Sequence, residues 1–255
     1  MKGFCQVQWR LGQTEYGQAL KLQKELTVQR MADQIPDTLL LMEHPHTFTV
    51  GIHGHRHQLL VDQEELTRLN IAYYEVDRGG SVSYHGPGQF VCYPILKLQD
   101  YGYNYHQYIA RLESTIIRAL GGFNIHAFRQ PGQRGVWVLP RNGYRHSPGW
   151  GMGGEHPARI GTIGVKVNKQ QITNYGFTIN VNLDLEYYDL IIPRGIESCH
   201  ITSLQQVLRQ PVEIGDVVEP VIQSFCELFE LEPVIGGYTP LFSDAILATP
   251  VHIVS

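Results

Sequence analysis

The sequence predicts an α+β fold in which helices pack on one face of a mixed sheet. Strand-like runs outnumber helical ones, the two kinds do not alternate strictly, and no internal repeat or linker divides the chain. At 255 residues the chain exceeds the usual domain size, yet folds of this length are often one unit. A single domain over residues 1–255 is therefore expected.

Residues 5–11 alternate weakly and read as a strand. Thr14 then suits the N-cap of a helix running to about Asp33, with Leu20, Leu22, Leu26 and Met31 inward. Residues 38–42 form a continuous apolar run that predicts a buried strand, and β character resumes at 47–51 after His44-Pro45. Another strand is expected over 71–76, then a glycine-rich loop, then a strand over 89–95. Tyr108, Ile109, Leu112, Ile116, Ile117 and Leu120 recur at helical spacing, so 104–120 is a helix stopped by Gly121-Gly122. Residues 135–138 read as a strand. The next stretch, 139–158, holds five glycines and three prolines and predicts a long surface loop. Strands follow at 160–167 and 177–181. A last amphipathic helix is expected from about Asp216 to Leu231, with Val217, Val221, Phe225, Leu228 and Phe229 inward and Pro220 in its first turn.

Composition excludes several classes of function. With 43% hydrophobic and 17% charged residues the chain can build a core and is not a disordered arm. A net charge of −4 offers no long-range attraction to nucleic acid or to an anionic membrane. No apolar stretch approaches the ~20 residues of a membrane span, so a soluble protein is expected. Cys5, Cys92, Cys199 and Cys226 lack a CxxC spacing, which fits a reduced, cytoplasmic setting.

The most specific segment is RGGSVSYHGPGQFVCYPIL, residues 78–96. Its glycines let backbone approach a ligand closely, because glycine accepts positive φ and adds no Cβ. It has no Lys-Ser/Thr pair and precedes a strand, unlike the common phosphate loops. This segment resembles the signature of the octanoyl-acyl-carrier-protein:protein octanoyltransferases, the lipoate-protein ligase B type, which is usually RGGxxTxHGPGQ followed by VxYPI. Ser83 for threonine is the one departure. The similarity extends through 40–51 (LLMEHPHTFTVG), 135–138, 160–164, 176–184 (GFTINVNLD) and 193–204.

The resemblance implies a biotin/lipoate-protein-ligase-like α+β fold with a mixed sheet. It also implies transfer of octanoyl from acyl carrier protein to lipoyl-domain lysines of 2-oxoacid dehydrogenase or glycine cleavage proteins, with no cofactor. By the same resemblance, the acyl wall would be Arg78, Gly79, Gly80, Ser81, Val82, Ser83, Tyr84 and His85, with Thr162, Ile163, Gly164, Gly176, Phe177 and Thr178. His85 is expected to orient a substrate carbonyl or a backbone group.

At three positions this sequence leaves the family pattern. Arg194 stands at the cysteine nucleophile, Arg159 at the lysine that activates it, and Tyr175 at the histidine of the HGFxLNV segment. Arginine is protonated at any ordinary pH and cannot serve as the nucleophile. Four readings follow. Cys199 replaces the lost thiol, helped by nearby arginines. Alternatively, the amine attacks the thioester directly while Arg159 or Arg194 stabilises the oxyanion. In the third reading the fold only binds an acyl group, a carrier or a lipoyl domain, and in the fourth it is an ATP-dependent ligase.

Outside that segment, the spacing of His53, His55 and His57 could hold zinc, but no cysteine or carboxylate pair accompanies it, so a polar loop without metal is expected. Asn180 and Asp184 suit local backbone capture before residue 193, and Tyr187 and Tyr188 suit packing or binding equally.

Overall fold

The computed structural model describes residues 3–139, 157–192 and 200–236. Its elements run β1 (Gly3–Gln13), α1 (Tyr16–Met31), β2 (Asp37–Glu43), β3 (Thr47–Val50), α2 (Gln63–Arg68), β4 (Ala72–Glu75), β5 (Val82–His85) and β6 (Gln89–Ile95). After these come α3 (Tyr105–Gly121), β7 (Ala127–Gln130), β8 (Gln133–Val138), β9 (Ala158–Val167), β10 (Thr173–Asn180), α4 (Leu204–Leu208), α5 (Ile214–Phe229) and β11 (Leu231–Ile235). Among the described residues, eight strands form one mixed sheet in the order β11-β1-β2-β6-β10-β9-β8-β7, and β4-β3-β5 form a smaller one.

The apolar runs of β2 and β6 are continuous because both faces of the large sheet are covered. Leu39, Leu41, Phe90 and Cys92 face α3 and α5, while Leu40, Met42, Val91, Tyr93 and Ile95 face α1. Helices therefore pack on both faces, which corrects the one-face expectation. The α1 helix lies where expected, with Ala19, Leu22 and Leu26 buried, but Met31, expected inward, is exposed.

Capping explains two further corrections. Thr14 does not cap α1; its backbone N–H goes to the Glu43 carbonyl at 2.7 Å, and Glu15 occupies the cap. In α5 a reciprocal Glu213–Asp216 capping box starts the helix at Ile214, so Pro220 is the seventh helical residue and lies beyond the first turn. There it forgoes a bond to the Asp216 carbonyl. The helix ends at Phe229 because Glu230 turns left-handed (φ 56°), and Leu231 opens β11.

The α3 helix matches its periodicity, with a second capping box in which Asn104 and Gln107 exchange 2.9 Å bonds. A third of the expected glycine loop is in fact strand β5, paired antiparallel to β3, with Val82 and Tyr84 buried in a core that includes Phe48, Leu59 and Leu66. Of the 139–158 loop, residues 140–156 lie outside the described residues, and Ala158 already belongs to β9. No helix among the described residues is long and apolar enough to cross a membrane.

Candidate active site

The β5 strand, the turn before it and the paired strands β9 and β10 line a pocket with a narrow cavity of about 40 Å³, or about 560 Å³ when the open space at its mouth is included. Two glycines permit the close packing behind it. Gly80 sits at φ +96°, and a Cβ on Gly176 would collide with the Cys92 carbonyl of the neighbouring strand β6. Of the expected acyl wall, Arg78, Val82, Ser83, Tyr84, His85, Thr162, Gly164, Gly176, Phe177 and Thr178 line this pocket. Gly79, Gly80, Ser81 and Ile163 do not; Ile163 lies instead in the core with α3.

Arg78 is buried, and its Nη2 donates to the Thr49 carbonyl at 2.9 Å and to Thr49 Oγ1 at 2.7 Å. Its Nη1 donates to the Gly79 carbonyl at 3.1 Å. Burial lowers its pKa, partly offset by the phenol of Tyr16. Tyr16 is itself pushed up to about 12 by burial.

The hydrogen bonds fix the tautomer of His85. Gln89 Nε2 donates to the Tyr84 carbonyl at 3.2 Å and to Asn180 Oδ1 at 3.0 Å. Its Oε1 must then accept from His85 Nδ1, 2.9 Å away. The other ring nitrogen, Nε2, is left unprotonated, 3.5 Å from Thr49 Oγ1. Burial, with His44 and Arg78 nearby, pushes the His85 pKa down to about 3, so at neutral pH the ring is uncharged, its one N–H is given to Gln89, and Nε2 can only accept. His44 is also neutral, lowered to about 4 by burial, with Nδ1 donating to the Thr14 carbonyl at 2.7 Å and Nε2 accepting from Tyr93 at 2.8 Å.

Arg159 lines the pocket from β9, next to Trp137 in the β8–β9 register, with its guanidinium carbon 5.7 Å from the indole centroid. It is only 4% exposed, and its Nε–H has no acceptor among the described residues. Among the described residues, no carboxylate lines the pocket. Tyr175, at the histidine position of the family pattern, adopts φ 56° and donates its hydroxyl to Asp77 at 2.6 Å. Burial would raise the Asp77 pKa, but bonds from Lys166 and Tyr175 hold it below its ordinary value.

Arg194 and Cys199 lie outside the described residues. The described thiols Cys5, Cys92 and Cys226 are buried in the core, and none lines the pocket. Among the described residues no group of three or more His, Cys, Asp or Glu is placed to hold a metal; His55 and His57 stack at 5.2 Å. Asp184 makes the expected local bond, accepting from the Glu186 N–H at 3.0 Å. Asn180 instead makes long-range bonds, donating to the Thr202 carbonyl at 3.0 Å as well as accepting from Gln89. Tyr187 stacks on His46 at 4.2 Å, while Tyr188 lines the pocket. Tyr16, Tyr93, Tyr175 and Tyr188 were not among the expected wall residues. Tyr93 lies in the signature segment, Tyr175 at the histidine position of the family pattern and Tyr188 among the tyrosines suited to packing or binding, whereas Tyr16 carried no signal.

A lipoate-protein ligase A bound with ATP superposes with a TM-score of 0.69 at 13% identity, covering 94% of this chain and 90% of that one. A putative lipoate protein ligase from T. acidophilum with bound lipoic acid superposes at 0.66 and 12% identity, covering 94% and 91%. At those identities the likeness concerns the fold alone. In sequence, residues 15–226 match the lipoyl protein ligase A/B catalytic domain. The octanoyltransferase of Chloroflexus aurantiacus is 40% identical over 223 residues, 88% of this chain and 93% of that protein. That of Roseiflexus sp. is 38% identical over 227 residues, 89% and 88%. The chain belongs to the lipoyl protein ligase A/B catalytic family, in its octanoyltransferase group.

Proposed function

We propose that this protein is an octanoyltransferase of lipoate biosynthesis that passes octanoyl from the thioester of acyl carrier protein directly to a lipoyl-domain lysine. The observation that carries the direct route is Arg159, a buried guanidinium in a pocket that no described thiol reaches. The neutral lysine amine attacks the thioester carbon, forming the C–N bond as the carbonyl π pair moves onto oxygen. Arg159 stabilises that oxyanion, an interaction stronger in the transition state than with the neutral carbonyl. The pair then returns, the C–S bond breaks, and the departing sulfur takes up the proton lost by nitrogen. His85 Nε2, able only to accept, suits an N–H of the incoming amine. The apolar walls Val82 and Phe177 suit the chain of the acyl group, and a reduced, cytoplasmic setting suits both substrates.

Incubating the full chain with octanoyl-acyl carrier protein and apo lipoyl domain, and following both by intact mass, tests this reading. Octanoyl should leave the carrier and appear on the lipoyl domain. Binding of carrier or lipoyl domain with no transfer would identify a non-catalytic binder instead.

A further inference from the structure

The two ends of the pocket are built differently. Along β9 its lining residues run Arg159, Thr162 and Gly164; on β10, Thr178 lies opposite Thr162 and Gly176 opposite Gly164. Tyr175, one step beyond Gly176 and opposite Val165, therefore stands at the end away from Arg159. Strand alternation would turn it with Phe177 and Ile179 toward α3 and α5. Its left-handed backbone, φ 56°, instead places the ring in the cluster under α1, where it lines the pocket. Both ends of the residue are tied down. The backbone N–H donates to Gln23 Oε1 at 2.9 Å, and the hydroxyl donates to Asp77 at 2.6 Å. Asp77 is in turn paired with Lys166. Positive φ in a bulky residue is strained, and such strain persists where the surroundings impose it, commonly at ligand sites. The cavity, about 40 Å³, has room for roughly three waters at ~10–15 Å³ each. In so narrow a slot the bulk of one lining ring decides how long a chain fits.

We propose that Tyr175 is the specificity-determining residue for acyl chain length: its ring is the end wall of the slot and sets the upper limit on the chain. This assignment rests on the octanoyltransferase reading above, in which the thioester carbonyl sits at Arg159. The chain then runs along β10 toward the ring, and its methyl end stops there. With the N–H and hydroxyl of Tyr175 both engaged the wall does not yield, so methylenes added beyond the fitting length meet it as overpacking. Histidine, the residue of the family pattern at this position, is smaller, so the limit set here belongs to this chain.

Transfer from octanoyl- and dodecanoyl-acyl carrier protein to apo lipoyl domain, compared as a ratio of kcat/KM values, tests this. The unaltered chain should favour octanoyl by at least about tenfold, the scale on which apolar pockets discriminate by size. Tyr175→Gly, which accepts the left-handed backbone, should shift the ratio toward dodecanoyl by at least about tenfold. Tyr175→Phe keeps the ring and should keep most of the preference. An unchanged ratio in a folded Tyr175→Gly would overturn the proposal, as would a Tyr175→Phe that loses the preference as fully as glycine does. If the glycine variant does not fold, Tyr175→His decides, since a shorter wall must move the ratio in the same direction. Titration of the full chain with octanoyl- and dodecanoyl-pantetheine, without acceptor, separates this assignment from the reaction. Preference for the octanoyl compound that is lost in Tyr175→Gly, with no transfer in any assay, would overturn the octanoyltransferase reading and leave the wall standing. Equal binding of the two compounds by the unaltered chain, or binding of neither, would overturn the wall.

Discussion

Replacing Arg159 with methionine should make the protein more stable and its chemistry slower. The residue is 4% exposed, and its Nε–H has no acceptor among the described residues. An unsatisfied buried donor costs about 1–3 kcal/mol. Against this stands the contact with the Trp137 ring at 5.7 Å, of the kind that contributes about 0.5–2 kcal/mol. Methionine fills much of the same space without a polar atom, so the balance favours the variant by about 1 kcal/mol. For a chain of this length that raises the Tm by about 2–4 °C. Removing an oxyanion donor should at the same time lower kcat by roughly 10²–10³, or about 2.7–4 kcal/mol. Calorimetry and single-turnover transfer assays measure the two effects separately. A Tm that falls while kcat holds would refute the reasoning, because Arg159 would then be a structural residue satisfied in the native state.

Three other outcomes follow from the same geometry. His44 and His85 are held neutral by burial, at about 4 and about 3, below the ordinary histidine value. The unfolded chain therefore takes up protons first as pH falls below about 6.5, and stability present above that pH should drop by about 2 kcal/mol per histidine by pH 5. Urea melts at pH 7.5 and 5 measure this, and the loss should shrink in His44→Gln. Gly176→Ala drives a Cβ into the Cys92 carbonyl; a loss of about 1–3 kcal/mol or failure to fold is expected, and a wild-type melt would show that β6 and β10 can separate freely. Asn104→Ala removes the α3 cap and should cost about 1 kcal/mol in thermal melts while leaving transfer intact.

Long, regular patterns were legible in the sequence. The α3 face, Tyr108 to Leu120, is inward as its spacing requires, and the runs of β2 and β6 are buried on both faces. Short elements were not: α2, α4, β7 and β11 hold four to six residues each, too few to establish a period. The start of α5 was misplaced because its signal is a Glu213–Asp216 box, two acidic residues that also read as ordinary surface. The contiguous glycine segment revealed most of one pocket wall. The other contributors come from distant elements, as with Gln89 and Asn180, which meet across 91 positions. The tautomer of His85 follows from that meeting, so no local motif could give it.

The central claim is that octanoyl moves to the lysine without resting on the protein. Its most direct test is rapid-quench intact mass of the full chain during a single turnover, repeated in Cys199→Ser. The account predicts octanoyl on the lipoyl domain, an unmodified transferase at every time point, and unchanged transfer in the variant. An octanoylated transferase that forms and decays at the rate of transfer, and is absent from Cys199→Ser, would contradict it.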